Sequence, residues 1–285
     1  MSAAAKRVAV VVGGIRGNGW GVTRHLIEQT TTPLVVYATG HPVDIAQNGW
    51  LKRNPNATSS IDSVIEQKGC ELKNTSLEIG NPDAIAEFSQ KLVDSHGPEC
   101  VSVLVNASQY NRKIGNVDEH GTDPLQSVLK EVYWGSKNLA KAIIPLMKRD
   151  GNSRVVHLST PKGSPSFLKE NLAKRFRGEN ITWEQLDGLM KEYADAIRTR
   201  HYADTDWPPS ESATARDKQP FNISKIGVAA MVFPLSREYP GILINACRPE
   251  SWRDARDSPT LYKLATGDID GVTGGFWENG KLSTW

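Results

Sequence analysis

The sequence predicts an α/β fold: a single doubly wound parallel sheet of about seven strands with helices on both faces. Two observations lead to this prediction. Short apolar runs rich in β-branched residues alternate with longer stretches of helical spacing over most of the 285 residues, which is typical of a parallel sheet. The first run, Arg7–Val12 (RVAVVV), is apolar after its first residue, as expected for a strand buried on both faces. Because no internal repeat or linker interrupts the pattern, we expect one domain over residues 1–285.

The strands are predicted in the order in which the apolar runs occur. They lie at Arg7–Val12, Leu34–Tyr37, within Glu71–Ile79, at Val101–Asn106, at Arg154–Ser159 and at Ile242–Ala246. The C-terminal segment GVTGGFWENG can supply a seventh strand. Between the strands, apolar residues recur at helical spacing. The predicted helices begin near Trp20, run from Pro82 to about Val93, from Pro124 to about Lys148, from Thr182 to about Arg200, and from Phe221 to about Glu238.

A helical insertion and a lid loop are expected at about residues 164–220. The TWEQ segment places a hydroxyl at the N-cap, Thr182, and Gln185 three residues later, which is a capping box. Residues 204–220 are polar and contain three prolines. A long loop of this kind inside a compact domain is often a lid or a binding loop.

The composition argues against several classes of partner. The chain has 34 basic and 32 acidic residues and a net charge of +2, so its charge does not favour nucleic acid or an anionic membrane. No apolar run approaches the roughly 20 residues that span a bilayer. The N-terminal segment leads directly into the first strand, and we therefore expect a cytoplasmic protein. Its three cysteines match no zinc pattern, so we expect no metal, and the oligomeric state stays open.

A glycine-rich loop follows the first predicted strand. Gly13, Gly17 and Gly19 are spaced G-x3-G-x-G between that strand and a helix. Such a loop lets a diphosphate approach bare backbone at a helix N-terminus, whose free N–H groups and dipole favour an anion. Three glycines alone are weak evidence, but this position in an alternating chain is typical of a Rossmann-type dinucleotide site.

The next strand end indicates which dinucleotide is bound. An acid there would bind a ribose 2′-hydroxyl and repel a 2′-phosphate. Here the strand is followed by Ala38, Thr39, Gly40 and His41, with no acid. Arg16, in the glycine loop, can reach a phosphate, although it is alternatively a solvated loop charge. Both features favour NADP(H) over NAD(H).

The chain resembles the short-chain dehydrogenases/reductases, and most closely their carbonyl reductase branch. The resemblance covers nearly the whole chain and is carried by the segments VVVGGIRGNG, LEIGNPDAI, LVNASQY, RVVHLST, SKIGV and LINACRP. It implies hydride transfer between a nicotinamide and a carbonyl. The cofactor-binding residues that it implies are Gly13, Arg16, Gly17, Asn18, Gly19, Thr39, Glu78, Asn106, Lys225 and Pro249.

The catalytic positions depart from the family pattern. The resemblance implies a proton-donating tyrosine where this chain has Phe221, a serine where it has Thr160, and a relay asparagine where it has Val132. Ser159 precedes Thr160 and is expected on the opposite face of its strand. Lys225 alone is retained, one helical turn after Phe221.

The loss of the tyrosine suggests a substrate that needs no proton. An iminium ion is already cationic and can accept hydride without a general acid, and an aromatic ring such as Phe221 favours a nearby cation by about 0.5–2 kcal/mol. The profile resembles a small group of fungal indole-alkaloid enzymes: the bifunctional reductase/Diels–Alderases of the malbrancheamide and paraherquamide pathways and the Pictet–Spenglerase of the citrinadin pathway. The segment Arg248–Trp252 (RPESW) resembles a segment near the nicotinamide of that group. The resemblance implies an NADPH-dependent imine/iminium reductase with cyclase activity, whose small-molecule substrate is a cationic indole alkaloid intermediate.

Several residues are candidates for the altered chemistry. Lys225, Thr160, Ser159, Glu131, Phe221 and Asp254 are the candidate catalytic residues, and Tyr133, Trp207, Glu250 and Trp252 are the candidate substrate-binding residues. Each acid can alternatively be a solvated charge, and aromatic residues at helical spacing are usually core. Two other functions stay open: a carbonyl reductase that uses Thr160 and a water as its proton donor, and a non-catalytic NADPH-binding protein.

Overall fold

A computed structural model describes residues 6–42, 45, 55–108, 124–202, 205–209, 219–250 and 258–285. Within these ranges the strands are β1 (Arg7–Val12), β2 (Leu34–Gly40), β3 (Glu71–Ser76), β4 (Val101–Asn106), β5 (Arg154–Leu158), β6 (Leu243–Cys247), β7 (Gly275–Glu278) and β8 (Lys281–Ser283). They form one sheet in the order β3-β2-β1-β4-β5-β6-β7-β8. Neighbouring strands from β3 to β7 are parallel, and β8 pairs antiparallel with β7.

The described helices alternate with the strands. They are α1 (Gly17–Gln29), α2 (Pro55–Lys68), α3 (Pro82–His96), α4 (Pro124–Leu129), α5 (Gly135–Ile143), α6 (Glu170–Phe176), α7 (Trp183–Thr199), α8 (Gln219–Ala230), α9 (Val232–Glu238) and α10 (Pro259–Thr266). A π-helical turn at Lys130–Trp134 joins α4 to α5, and 3₁₀ turns lie at Ile144–Leu146 and Pro165–Phe167. The predicted α/β sheet with helices on both faces is confirmed. None of the described helices has the length and apolar character to cross a bilayer.

Alternate side chains of the sheet pack into two separate cores. In β1, Val8, Val10 and Val12 belong to one core, which includes apolar residues of α3 to α9. Ala9 and Val11 belong to the other, with residues of α1, α2 and α10. This follows from the two-residue period of a strand, and it explains why β1 is apolar after Arg7.

The boundaries differ from the sequence prediction in a few places. The helix expected from Pro124 to Lys148 is interrupted by the π-helical turn, and the one expected from Phe221 to Glu238 breaks at Met231. Pro234 explains the second break because it has no N–H to donate to the carbonyl of residue 230. Strand β8 was missed because three residues, two of them exposed, carry no readable period. Helices α2, α6 and α10 were also missed.

The capping box predicted at Thr182 is present at the start of α7. Thr182 Oγ1 accepts from the Gln185 N–H at 3.2 Å, and Gln185 Oε1 accepts from the Thr182 N–H at 2.9 Å. We expect Thr182→Ala to lower the free energy of unfolding by about 1 kcal/mol, because one helix N–H loses its partner. Urea denaturation measures this change. Thr199→Ala at the far end of α7 is the matched control, since its hydroxyl bonds only the Asp195 carbonyl within the helix. A loss as large for Thr199→Ala as for Thr182→Ala would contradict the capping role.

Candidate active site

The carboxyl ends of the parallel strands meet at one edge of the sheet. The strand order reverses between β1 and β4, because β1 continues to β2 on one side and β4 continues to β5 on the other. In open α/β sheets, ligands bind in the crevice outside the carboxyl ends of the strands at such a switch point. The glycine loop, Ser108, Ser159 and Pro249 all follow strands that end at this edge.

The glycine loop is shaped by close backbone contacts that only glycine allows. Gly13 has φ +74°, and a Cβ there would lie 2.7 Å from the Ala107 carbonyl oxygen. A Cβ on Gly19 would lie 2.1 Å from the Gly13 carbonyl oxygen. Gly17, with φ +53°, has open space where a side chain would stand. The loop therefore turns sharply into α1 and leaves bare backbone beside the first turn of the helix.

Three buried polar groups around this loop have no hydrogen-bond partner within the described parts of the chain. They are Asn18 Nδ2, Thr39 Oγ1 and Ser108 Oγ. Buried polar groups are nearly always paired in folded proteins. Thr39 also holds the loop, because its carbonyl accepts from the Gly14 N–H at 2.9 Å. Bare backbone, a helix N-terminus without a side-chain cap and these donors suit a polar, phosphate-bearing ligand.

Three further predicted cofactor residues lie around the same crevice. Arg16 occupies the N-cap position of α1 and is half-buried. Glu78 follows β3, and its Oε1 lies 3.9 Å from His41 Nε2. Pro249 is buried after the end of β6.

Asn106 anchors a buried polar network at the end of β4. Its Nδ2 donates to Ser136 Oγ at 2.7 Å and lies 3.4 Å from His157 Nδ1, and its Oδ1 accepts from the Ser108 N–H at 3.2 Å. His157 is fully buried, and this burial lowers the pKa of its imidazole to about 3. The imidazole is therefore neutral at neutral pH.

Lys225 lies in the same buried region. Its Nζ donates to the carbonyl oxygens of Ser108 at 2.7 Å and Leu158 at 2.9 Å. Only 1% of the residue is exposed, and burial lowers the pKa of its amine to about 7 because desolvation penalises the charged form. The Nζ lies 5.9 Å from the centre of the Phe221 ring.

The two hydroxyl residues after β5 point to different partners. Ser159 Oγ donates to the carbonyl oxygens of Gly163 at 3.3 Å and Lys225 at 3.4 Å. Thr160 Oγ1 lies 3.4 Å from Asn222 Oδ1, on the residue that follows Phe221 in α8. Thr160 therefore lies beside the start of α8, whereas the Ser159 hydroxyl is hydrogen-bonded to backbone carbonyl oxygens.

Glu131 and Tyr133 both lie in the π-helical turn, but their side chains have different neighbours. The Glu131 side chain packs on the loop after β3, where a Cβ on Gly80 would lie 2.9 Å from its Cγ. The Tyr133 ring is fully buried against Gly227, and its hydroxyl donates to Asp187 Oδ1 at 2.8 Å. A fully buried ring offers no face to a substrate, so this packing does not support the substrate role that we expected for Tyr133.

Trp207 and Glu250 also have structural roles that the sequence did not indicate. Trp207 is 2% exposed, packs on Phe176 and Tyr193, and donates from Nε1 to Glu192 Oε1 at 2.9 Å. The ring therefore lies in the core between α6 and α7, and this packing does not support the substrate role that we expected for Trp207. Glu250 Oε1 accepts from the Thr260 N–H at 3.0 Å and from the Thr260 hydroxyl. The carboxylate expected to meet a substrate cation therefore caps α10. Asp254 and Trp252 lie outside the described residues.

Sequence reasoning missed Ser108, His157 and Ser258, which all contact predicted site residues. A histidine in a buried strand was a usable signal for His157, because a strand buried on both faces seldom carries an ionisable residue. The other two serines carry no signal in the sequence. No cluster of three or more potential metal ligands occurs in the described ranges.

Comparison with known proteins places these features in context. No protein-family model matches the chain. It is 25% identical to carbonyl reductase (NADPH) 1 of Mus musculus over 299 aligned positions, covering 98% of both chains. It is 26% identical to carbonyl reductase (NADPH) 3 of Homo sapiens over 269 positions, covering 88% of this chain and 85% of the relative.

Solved structures share the fold. Menthone neomenthol reductase from Mentha piperita matches with a TM-score of 0.72 and 21% identity, over 96% of this chain and 98% of the other. Salutaridine reductase from Papaver somniferum matches with a TM-score of 0.70 and 17% identity, over 96% of this chain and 100% of the other. The chain is therefore similar over most of its length to the carbonyl reductases, and it shares the fold of the two plant reductases.

Proposed function

We propose that this protein is an NADP(H)-dependent oxidoreductase that delivers hydride to an iminium substrate and promotes ring closure on an indole alkaloid intermediate. The observation that carries the proposal is Phe221, which stands one helical turn before the buried Lys225. The resemblance implies a proton-donating tyrosine at this position.

The cofactor assignment is supported by the residues at the carboxyl edge and by the relatives. The glycine loop offers backbone N–H groups at the start of α1, and beside it lie Asn18 Nδ2 and Thr39 Oγ1, which have no partner among the described residues. Arg16 is half-buried beside them and can meet a phosphate. The relatives compared above are named as NADPH enzymes. When bound, NADPH supplies the hydride.

The proton requirement separates the possible substrates. A positioned general acid typically contributes about 10²–10⁴-fold to a rate, or roughly 3–5 kcal/mol of barrier. Reduction of a ketone creates an alkoxide, and Phe221 has no proton to give it. When the carbon of an iminium ion accepts hydride, the ion becomes a neutral amine. Its reduction therefore does not need the missing acid.

The state of Lys225 is compatible with a cationic substrate. Its Nζ is held by two backbone carbonyl oxygens, and burial lowers its pKa to about 7. A large share of these amines is therefore neutral at physiological pH. In the cofactor-free protein this reduces the repulsion that a fixed lysine charge would exert on an iminium ion near the Phe221 ring, and in the NADPH complex the negative charge of the cofactor offsets a protonated amine.

The ring-closing activity rests on the resemblance to the indole-alkaloid enzymes. The resemblance rests on Phe221, which stands in place of the tyrosine that this group also lacks, and on the segment from Arg248 to Trp252, which is similar to a segment of that group. Because its carboxylate caps α10, Glu250 is not proposed as a proton-transfer residue, and Glu131 stays the candidate acid that pairs with the substrate cation or moves a proton during cyclisation.

The test compares two matched substrates with purified protein and NADPH. A 3,4-dihydro-β-carbolinium salt presents an indole with a C=N⁺ bond, and a 1-oxo-tetrahydrocarbazole presents an indole with a ketone. We expect NADPH consumption, followed at 340 nm, to be at least about 100-fold faster with the iminium, because only the reduction of the ketone needs the missing general acid. Each reaction needs a control without enzyme, because iminium ions accept hydride slowly in solution.

Faster turnover of the ketone would refute the iminium assignment and favour a carbonyl reductase that uses Thr160. NADPH binding without turnover of either substrate, or of other iminium and ketone compounds, would favour a non-catalytic NADPH-binding protein. Failure to bind NADPH at all would remove the cofactor assignment itself.

A further inference from the structure

The start of α10 joins three parts of the chain that are distant in sequence. Thr260 donates to Glu250, and its Oγ1 accepts from the Gly280 N–H at 2.6 Å. Two residues earlier, Ser258 Oγ donates to Asn18 Oδ1 at 2.9 Å. The first turn of α10 therefore holds the segment after β6, the turn between β7 and β8, and the glycine loop together.

The Asn18 amide oxygen accepts from the Ser258 hydroxyl. Ser258 is fully buried and Asn18 is 2% exposed. An amide has an acceptor oxygen and a donor NH₂ group, and the Ser258 hydroxyl occupies the oxygen. Asn18 Nδ2 is left as a buried donor with no partner in the described ranges. Such a donor is expected to have a partner in the functional state of the protein.

The position of Asn18 indicates the chemistry of that partner. Asn18 is the second residue of α1, between Gly17 and Gly19. The first four N–H groups of a helix lack partners within the helix, and the helix dipole is positive at this end. An additional N–H donor here favours an anion, and a diphosphate has enough oxygens to accept from both backbone and side chain.

We propose that Ser258 is a cofactor-positioning residue that acts through Asn18. Its hydroxyl holds the Asn18 amide oxygen, which keeps the amide nitrogen available to the diphosphate of NADP(H). The inference rests on the proposed cofactor and adds to it a residue from the C-terminal part of the chain, 240 positions from its partner.

The first experiment measures the dissociation constant of NADPH by quenching of tryptophan fluorescence. We expect Ser258→Ala to weaken NADPH binding about 10-fold. Without the Ser258 hydroxyl the Asn18 amide can rotate, and its nitrogen then loses the charge-assisted hydrogen bond to the diphosphate. Ser102→Ala is the matched control. Its hydroxyl is also buried and donates to the Val8 carbonyl at 3.1 Å, but it lies at the amino ends of the strands. We expect it to bind NADPH within about twofold of the parent.

Two further measurements separate positioning from a general loss of stability. Adenosine 2′-monophosphate has no diphosphate, so its affinity should change less than about twofold in Ser258→Ala. Asn18→Ala should weaken NADPH binding, and the double variant should bind no more weakly than Asn18→Ala alone, because residues that act through one another are not additive.

The outcomes distinguish this inference from the cofactor assignment. Unchanged NADPH affinity in Ser258→Ala, an equal loss for adenosine 2′-monophosphate, or additive losses in the double variant would each overturn the role of Ser258 and leave the cofactor assignment intact. A parent protein that fails to bind NADPH would overturn both.

Discussion

Replacing Phe221 with tyrosine should raise the rate of ketone reduction about 100-fold and leave iminium reduction within about threefold of the parent. The Phe221 ring lies 5.9 Å from Lys225 Nζ, so a phenol at this position would stand beside an amine. The positive form of that amine favours the phenolate and lowers the pKa of the phenol, which makes it a better proton donor. An iminium ion gains nothing from that donor.

The measurement is NADPH consumption with the two indole substrates described above, under conditions that give kcat and KM separately. Phe221→Leu is the matched control, because it changes the ring but adds no hydroxyl. We expect it to give no gain on the ketone. A gain of about 100-fold on the iminium in Phe221→Tyr would show that the native reaction also needs an acid, and it would contradict the proposed function.

The expected gain is placed at the low end of the range for general acids because the relay is also altered. Val132 stands where the resemblance implies the relay asparagine, and it is 1% exposed in the apolar core. A restored tyrosine would therefore donate its proton without the relay that resupplies it. Phe221 removes the proton donor and Val132 removes the residue that resupplies its proton. The loss of both parts of proton donation argues for a site adapted to a different substrate.

The sheet was predictable from the sequence because buried parallel strands are continuously apolar. The bounds of β1 and β4 agree with the prediction at both ends. Gly13 and Gly19 were also recognisable, since their spacing between a strand and a helix reflects steric limits that the structure shows directly. These features depend on local sequence.

The roles of individual polar and aromatic residues were less predictable because they depend on contacts distant in sequence. Glu250 was expected near the cofactor, but its carboxylate caps α10, a helix that was not predicted. Trp207 was expected to stack on a substrate, but it fills the space between α6 and α7. The sequence shows that an acid or a ring is present and cannot show which distant partner it meets.

Lys225 should make the free energy of unfolding of the cofactor-free protein rise by about 3 kcal/mol between pH 7 and pH 9.5. Burial lowers the pKa of its amine from 10.5 to about 7. In this pH window the unfolded chain still binds the proton that the folded chain has released. Stability therefore rises with pH, and it is lost as the pH falls toward 7.

Urea denaturation of the parent and of Lys225→Met over this pH range tests the effect. Methionine cannot donate to the Ser108 and Leu158 carbonyl oxygens, so this variant is expected to be less stable at every pH. That offset is constant, whereas the pH-dependent rise belongs to the amine alone. The difference in slope between the two proteins therefore isolates Lys225 from other groups that titrate in the same window.

Equal slopes for the parent and Lys225→Met would show that the buried amine keeps its proton, and the argument from reduced repulsion would fail. A steeper slope for the parent would establish that the site can hold a neutral amine near Phe221. NADPH carries negative charge, which favours a protonated amine nearby, so saturating NADPH should flatten the rise in the parent and leave Lys225→Met unchanged. Lys225 would then be charged when NADPH is bound and partly neutral when the pocket is empty. The substrate cation would meet a site in which the negative charge of NADPH already balances the charge of the lysine.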